Sequence, residues 1–233
     1  MGERVSMVRV RRLTTTGIAE ELEEPVILDR RFHLYLNGKH VGSFYTLPEG
    51  LEDLATGFLI GQGLMATVDG LKLKVEGDRI MAEGSLAEPT VTSVRSGYRI
   101  GIKAILDMVK RVEEMSELFG KTGGAHSAAL FEDEKLASFS EDVSRRGAVD
   151  RVIGNAMRLG IDLSRCVLVS TGRQSGDMIL KAARVGVPIV ASKAAPTHSG
   201  VSTAISTGLT LVCFARGNRA NVYSHPWRIG PSS

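Results

Sequence analysis

Two short polar segments, each following an apolar run, are the strongest candidates for a ligand site. Residues 170–175 read STGRQS and residues 192–197 read SKAAPT. Each combines hydroxyl groups, small residues and one cation just before a stretch of helical spacing. Because free N–H groups at a helix start carry partial positive charge, such segments suit anionic ligands. Ser175 and Thr197 are equally suited to cap those helices, so an anion site and ordinary N-caps both remain open.

The cations in the two segments favour the anion site. In open α/β sheets, ligands lie beyond the carboxyl ends of the strands. Loops that follow neighbouring strands would therefore face one crevice. We predict that Arg173, Ser175, Lys193 and Thr197 line it and bind an anionic group such as a nucleotide phosphate.

Two further clusters carry chemistry-bearing residues. Residues 121–126 read KTGGAH, where paired glycines allow a ligand to approach the backbone and His126 follows at once. A turn with a structural histidine is the alternative. Residues 141–146 read EDVSRR, and Glu141 and Asp142 stand where acids favour the N-terminus of a following helix. Both clusters are kept as candidates beside these structural interpretations.

Several other chemistries are not supported. Residues 61–66, GQGLMA, follow a helical pattern and not a strand, which argues against a dinucleotide-binding loop. The deaminase zinc pattern needs a glutamate two residues after the histidine, and His126 lacks it. We predict no metal site and no catalytic residue. Cys166 and Cys213 lie in apolar runs, where cysteine usually behaves as a small hydrophobe.

The composition is that of a globular protein. Of the 233 residues, 43% are hydrophobic and 24% charged, and the net charge is +3. This charge is too small for an obligate nucleic-acid binder, and 5% aromatic residues argue against base stacking. No apolar stretch is long enough for a membrane span, and residues 1–6 show no signal-peptide pattern. The two cysteines form no C-x-x-C pair, which favours a reducing compartment. We therefore predict a cytoplasmic protein that binds neither nucleic acid nor membrane.

The first part of the chain reads as a small α+β unit. Residues 25–47 alternate as strands around Asn37-Gly38, a strong hairpin signal. A helix over 51–64, a second hairpin turning at 77–78 and a loop over 85–99 follow. A long amphipathic helix over 102–119, ended by Gly120, comes next. We predict an N-terminal domain with its linker loop over 1–95.

The remaining residues, 96–233, are predicted to form an α/β core. Residues 127–139 read as a hairpin and 143–159 as a helix. Apolar runs at 166–170, 188–192 and 209–214 alternate with helical stretches at 176–185 and 201–207. Alternating strands and helices imply right-handed crossovers and parallel pairing.

Taken together and in order, these segments resemble the formate dehydrogenase accessory proteins, the FdhD sulfur-carrier family. The resemblance runs along nearly the whole chain. Its stretches include TGGAH at 122–126, EDV at 141–143, AVD at 148–150, GRQS at 172–175, APT at 195–197 and FAR at 214–216.

The resemblance implies a cytidine-deaminase-like three-layer core with parallel strands, usually in a homodimer. It implies a role in maturing formate dehydrogenase, the client partner. Family members take sulfur from a cysteine desulfurase and pass it to the molybdenum or tungsten bis(pterin guanine dinucleotide) cofactor, which they bind as cargo. GDP would mimic part of that ligand.

The resemblance also implies where the cofactor binds. The family's cofactor segment matches the last strand and the following loop, where Arg216 and Arg219 would pair with diphosphate. The full set of predicted cofactor-binding residues is Thr122, Gly123, Gly124, His126, Asp142, Arg145, Arg173, Ser175, Lys193, Thr197, Phe214, Ala215, Arg216, Gly217, Asn218 and Arg219.

The sequence departs from the family pattern at the sulfur step. The family usually carries a C-G-x-C loop before the long helix, but residues 92–98 read TSVRSGY here. A persulfide needs a thiol, which Ser96 does not have. Ser144 and Arg146 also replace a glycine and a histidine, and Asp177 replaces a longer acid. Three hypotheses stay open. The protein is a sulfurtransferase accessory protein whose sulfur is carried by another thiol or by a partner, a cofactor carrier or chaperone without sulfur transfer, or an unrelated small-molecule enzyme on the same core.

Overall fold

The computed structural model describes residues 4–17, 19–88 and 92–230. Predictions that involve Met1 to Glu3 or the linker residue Pro89 lie outside these described residues. The strands are β1 Val5–Leu13, β2 Ala19–Ile27, β3 Arg30–Leu36, β4 Lys39–Thr46, β5 Lys72–Glu76, β6 Arg79–Glu83, β7 Ile100–Gly101, β8 His126–Glu132, β9 Lys135–Asp142, β10 Cys166–Ser170, β11 Ile189–Ser192, β12 Thr210–Arg216, β13 Arg219–Val222 and β14 Ile229–Gly230. The helices are α1 Leu51–Gly61, α2 Ile102–Met115, α3 Glu117–Thr122, α4 Arg145–Arg158, α5 Gly176–Arg184 and α6 His198–Thr207.

The four-stranded N-terminal sheet has the order β4-β3-β6-β5. Phe32, Leu34 and Leu36 alternate along β3 and point to the buried face, where α1 covers them. Asn37 and Gly38 both have positive φ, 49° and 78°, which confirms the predicted hairpin turn. The small α+β unit is thus present, with one open sheet face.

β1 and β2 form an antiparallel ribbon that the sequence analysis did not predict. Three of its nine residue pairs join an arginine to a glutamate, and in one of them Arg11 and Glu21 form an exposed ion pair at 3.0 Å. At its base, Val5 and Ile27 pack against the cluster around Leu118.

The C-terminal half is built on a six-stranded sheet of order β13-β12-β11-β10-β8-β9. β10, β11 and β12 run parallel, as predicted, and β8 is antiparallel to β10. One buried cluster lies between the sheet and α2, and the other lies on the face covered by α4, α5 and α6. The fold is therefore mixed α/β with helices on both sheet faces.

The two halves meet where α1 crosses α4. A Cβ added to Gly57 would lie 1.8 Å from the Asp150 carbonyl oxygen, and one added to Gly154 would lie 2.0 Å from the Asp53 carbonyl oxygen. Neither position has room for a side chain, so glycine at both allows the helix backbones to touch. This contact fixes the N-terminal sheet against the core.

The predicted single helix over 102–119 is wrong in one respect, because it breaks at Ser116. The Ser116 hydroxyl lies 2.6 Å from both the Val112 carbonyl oxygen and the Ser127 hydroxyl, and α3 starts afresh behind it. Gly123, with φ 65°, ends α3 in place of the expected Gly120. In the part of the chain that the structure describes, no helix has the length and apolar character needed to cross a bilayer.

The loop over 92–98 is fixed at the amino edge of the parallel strands. Val94 N donates to the Thr207 carbonyl at 2.8 Å, and Ser96 Oγ donates to the Ser164 carbonyl at 2.6 Å. The buried Arg228 guanidinium donates to the Ser96 carbonyl. The predicted domain boundary at residues 95 and 96 falls in this loop and stays a prediction.

Candidate functional site

The predicted ligand loops meet along one edge of the six-stranded sheet, which we call the carboxyl edge. β10, β11 and β12 end there, and β8 begins there because it runs the opposite way. Thr171 N donates to the Ser127 carbonyl at 3.0 Å, and Phe214 N donates to the Ala194 carbonyl at 3.2 Å. Gln174 N also donates to the Ala195 carbonyl at 3.1 Å. Backbone hydrogen bonds therefore join the segments over 170–175, 192–197 and 214–219, and the first of them contacts Ser127, the residue after His126.

Arg145, the first residue of α4, holds an unmet hydrogen-bond donor at this edge. Its side chain packs on the buried Gly172, and its Nε is buried without a partner. Among the described residues, no other buried side-chain nitrogen or oxygen lacks one. Burial lowers the pKa of Arg145, and the charges of Arg146 and Arg173 lower it further. An unpaired buried donor is costly, and an anion here would satisfy it.

The two neighbouring arginines differ in what they offer. Arg146 is ion-paired with Asp177, which also accepts a hydrogen bond from Ser175. Arg173 is exposed. Ser175 stands at the N-cap position of α5 but makes no cap bond with its side chain. Arg145 and Arg173 are therefore the cations best placed to receive an anion on this side.

His126 lies near Arg145 at the start of β8, directly opposite Asp142 in the pairing with β9. Burial lowers its pKa and the Arg145 charge lowers it further, with the Asp142 charge acting in the opposite sense. The imidazole is therefore neutral near pH 7. In that form it offers one N–H donor and one acceptor nitrogen to a ligand.

The two acids before α4 serve the protein's own structure. Asp142 is fully buried and accepts hydrogen bonds from Arg151 Nε at 2.7 Å and from Ser144 N at 3.0 Å. Glu141 accepts from the first backbone N–H groups of α3, not of α4. α4 is capped by Ser144 instead. The role of Asp142 as a ligand residue stays a prediction, and both of its carboxylate oxygens already accept hydrogen bonds within the protein.

Three other predicted residues also have internal partners. Lys193 lies on the α2 side of the sheet, paired with Glu113 at 2.7 Å. Thr197 caps α6 by accepting from Gly200 N at 3.1 Å, which confirms the N-cap interpretation. Thr122 donates to the Leu118 carbonyl at 2.8 Å. Their roles as ligand residues stay predictions.

The segment over 214–219 forms the turn between β12 and β13 and not an open loop. A bulge lies between Cys213 and Arg216, and Phe214 has φ 52°. This left-handed conformation is strained for a bulky residue. The Arg216 guanidinium carbon lies 5.9 Å from the centre of the Phe214 ring. The strained bulge thus sets where Arg216 stands at the carboxyl edge.

Both cysteine thiols are poorly suited to chemistry. Cys166 and Cys213 have no exposed surface, and they pack in the cluster beneath α4, α5 and α6. Burial raises the pKa of each thiol to about 12, and nearby carboxylates add to the effect at Cys166. A thiol of that pKa carries almost no thiolate near neutral pH, and the thiolate is the reactive form.

A buried ion pair that the sequence analysis did not predict lies at the junction of the two halves. Asp150 on α4 pairs with Lys181 on α5, and both line a cavity of about 420 Å³ between β4, α1 and α4. Burial raises the pKa of Asp150 to about 6, against the opposing effect of Lys181. The spacing of the two residues gave no signal, because their contact depends on helix packing.

Comparisons with known proteins agree with this geometry. The model of the FdhD/NarQ family matches residues 78–230. A sulfur carrier protein FdhD from Methanothermobacter thermautotrophicus is 36% identical over 88% of this chain and 92% of its own. One from Wolinella succinogenes is 32% identical over 97% and 89%. The crystal structure of a formate dehydrogenase accessory protein from Desulfotalea psychrophila superimposes with a TM-score of 0.88, at 28% identity, over 98% of this chain and 100% of that one.

Proposed function

Because the chain belongs to the FdhD/NarQ family, we propose that it serves the maturation of formate dehydrogenase by binding a phosphate-bearing cofactor at the carboxyl edge. The cofactor is the molybdenum or tungsten bis(pterin guanine dinucleotide), held as cargo. The observation that carries this proposal is the buried Nε of Arg145, which has no partner. Family membership favours this proposal over the hypothesis of an unrelated enzyme on the same core.

The donors at the carboxyl edge fit the anionic parts of such a ligand. Guanidinium groups bind phosphate oxygens through paired N–H donors. At this edge Arg145 begins α4, Arg173 lies in the loop after β10 and Arg216 ends β12. The N-terminus of α4, a helix of 14 residues, begins at Arg145 itself. Its free N–H groups favour negative charge at the same place.

The buried thiols favour the hypothesis that this chain carries the cofactor over the hypothesis that it transfers sulfur. Residues 92–98 contain no cysteine, and the two thiols present are buried with raised pKa. A cysteine desulfurase would have to expose one of them before it could place sulfur there. We therefore infer that the protein holds the cofactor while a partner supplies the sulfur.

Binding of GDP to the full chain tests the ligand assignment. At a concentration one hundred times its Kd, a ligand stabilises by about 2.7 kcal/mol. In a protein of this size that raises the melting temperature by roughly 5–10 °C. Arg145→Gln and Arg216→Ala should each reduce the shift.

The matched control is Arg158→Gln. Arg158 lies at the other end of α4, where it pairs with Asp53 at 2.7 Å, so this variant should keep the GDP response. A wild-type protein whose melting temperature does not respond to GDP would contradict the ligand assignment.

We infer in addition that the protein works as a cytoplasmic homodimer with formate dehydrogenase as its client. The family resemblance supports the dimer and the client, and the two unpaired cysteines support the cytoplasmic compartment. The core is inferred to be cytidine-deaminase-like, which its parallel strands between helical layers support. Light scattering tests the dimer, cell fractionation tests the compartment and superposition on a cytidine deaminase tests the core.

A further inference from the structure

Two histidines on the open face of the N-terminal sheet converge on one serine hydroxyl. His33 lies on β3 and His40 on β4, with ring centroids 5.8 Å apart. His33 Nδ1 is 2.8 Å and His40 Nε2 is 3.0 Å from Ser43 Oγ. A hydroxyl has one proton to donate, so at least one imidazole must donate its own N–H to Ser43. Two imidazole nitrogens therefore face one point.

A β-bulge produces this convergence. The pairing of β3 with β4 shifts register so that Leu34 opposes Gly42 while Tyr35 opposes His40, which leaves Val41 as an extra residue. Side chains alternate along a regular strand, so an unbroken register would turn His40 to the buried face. The extra residue instead turns it to the outer face, where His33 points. Bulges often re-aim a side chain in this way next to functional sites.

We propose that His33 and His40 form a bis-imidazole site for a divalent first-row transition metal ion. Imidazole nitrogen suits Cu²⁺, Ni²⁺ and Zn²⁺, and the Irving–Williams order makes Cu²⁺ the tightest. The hydroxyl of Ser43 occupies the point between the nitrogens and turns aside when the ion binds. The site lies apart from the carboxyl edge and does not depend on the proposed function.

The surroundings set the character of the site. Both ligands stand on paired strands, which hold side chains more rigidly than loops do. His40 and Ser43 are exposed and His33 is half-buried, so an ion reaches them from solvent. No group of three or more His, Cys, Asp or Glu residues among the described positions is arranged for a metal. The ion is therefore held by two side chains and keeps positions for water.

Titration of the full chain with Cu²⁺, followed by calorimetry and electron paramagnetic resonance, tests the site. One equivalent should bind and show hyperfine splitting from two nitrogens. His33→Gln and His40→Gln should each weaken binding at least tenfold and remove the two-nitrogen pattern. Ser43→Ala should retain binding, because its hydroxyl is not a ligand.

The matched control is His198→Gln, which changes an exposed histidine at the start of α6 and should leave binding unchanged. Circular dichroism and the melting temperature confirm that each variant is folded. Absence of a bound equivalent in the wild type would overturn the proposal. So would an affinity that is the same in the wild type, His33→Gln and His40→Gln.

Discussion

Gly172 lies directly against Arg145, so that a Cβ built on Gly172 would be 2.7 Å from the Cβ of Arg145. The glycine follows β10 and the arginine begins α4, so this contact joins two elements of the carboxyl edge. The guanidinium is held at this edge only because the opposing backbone carries no side chain. Gly172, which has no side chain, thus sets the position of the unpartnered Nε of Arg145.

Gly172→Ala should therefore displace Arg145 and weaken GDP binding. Overpacking of this kind costs about 1–3 kcal/mol of folding stability. Loss of one hydrogen bond from a charged group to the ligand, about 1.5–3 kcal/mol, corresponds to a roughly 10- to 150-fold rise in Kd. Calorimetric titration with GDP measures it. Gly97→Ala is the control, because a Cβ there meets no atom within 4 Å. Equal GDP affinity in the two variants would show that Arg145 does not contact the ligand.

GDP binding should become tighter as the pH falls from 8 to 6. Burial and the Arg145 charge hold the pKa of His126 below its usual 6.5 in the free protein. A bound phosphate offsets the Arg145 charge, so the pKa of His126 rises and binding takes up a proton. Nuclear magnetic resonance titration of the His126 ring with and without GDP measures the rise. His126→Asn should remove the pH dependence, whereas His198→Asn should keep it.

The same shift has a consequence for the free protein. The unfolded chain holds the His126 proton more tightly than the folded one. The His126 contribution to stability is therefore present above pH 6.5 and is lost as the pH falls from 6.5 through the lower pKa of the folded protein. Denaturant unfolding at pH 8 and at pH 5.5 measures the loss. A His126→Asn variant that loses as much stability as the wild type over this interval would contradict the assignment.

Neither cysteine should react in the folded protein. A pKa of about 12 in place of 9.0 lowers the thiolate fraction near neutral pH about a thousandfold. Iodoacetamide at pH 8 should add nothing to the native chain and two groups to the denatured chain, as read by intact mass. Incubation with a cysteine desulfurase and free cysteine should likewise add no sulfur.

A family member that carries the C-G-x-C loop is the positive control for that assay. A reducible gain of one sulfur atom on the native chain, lost on mutation of Cys166 or Cys213, would restore the sulfurtransferase reading.

At Phe214, substitution by glycine should cost no more stability than substitution by leucine, although leucine is the milder change at most positions. A left-handed conformation costs a residue other than glycine about 1–2 kcal/mol. Phe214→Leu keeps this strain and loses part of the ring's packing, whereas Phe214→Gly removes the strain. The glycine variant should therefore unfold at an equal or higher denaturant concentration than the leucine variant. Both should bind GDP more weakly, because Arg216 loses the ring beside it.

Phe119 supplies the comparison for Phe214, because it is exposed within α3. There the leucine variant should be the more stable one, since glycine weakens a helix by about 1 kcal/mol. The same order at both positions would show that Phe214 carries no strain.

The carboxyl edge was predictable because it depends on local patterns and one topological rule. Apolar runs followed by STGRQS and SKAAPT mark strand ends, and parallel pairing brings such ends together. The hairpin turn was likewise predictable, because two adjacent residues, Asn37 and Gly38, determine it. What the sequence could show was which segments meet.

The partners of the site residues were not predictable in the same way. Lys193 was expected to act with Arg173, but its ammonium is paired with Glu113 on a helix distant in sequence. Glu141 caps a helix that precedes it in the chain, a contact that exists only because α2 breaks at Ser116. Such pairings depend on tertiary packing, which residue spacing does not encode.

The crossing of α1 and α4 has a consequence for how the chain is made. Gly57 leaves the ribosome long before Gly154, so the nascent N-terminal half has no surface on which to seat α1. Contacts between residues so distant along the chain slow folding and leave apolar surface exposed in the meantime. The N-terminal half is therefore completed only when α4 arrives. A chimera that joins this N-terminal half to the core of another relative should fold only if that core has a glycine at the position of Gly154, so that the backbone of α1 can touch it.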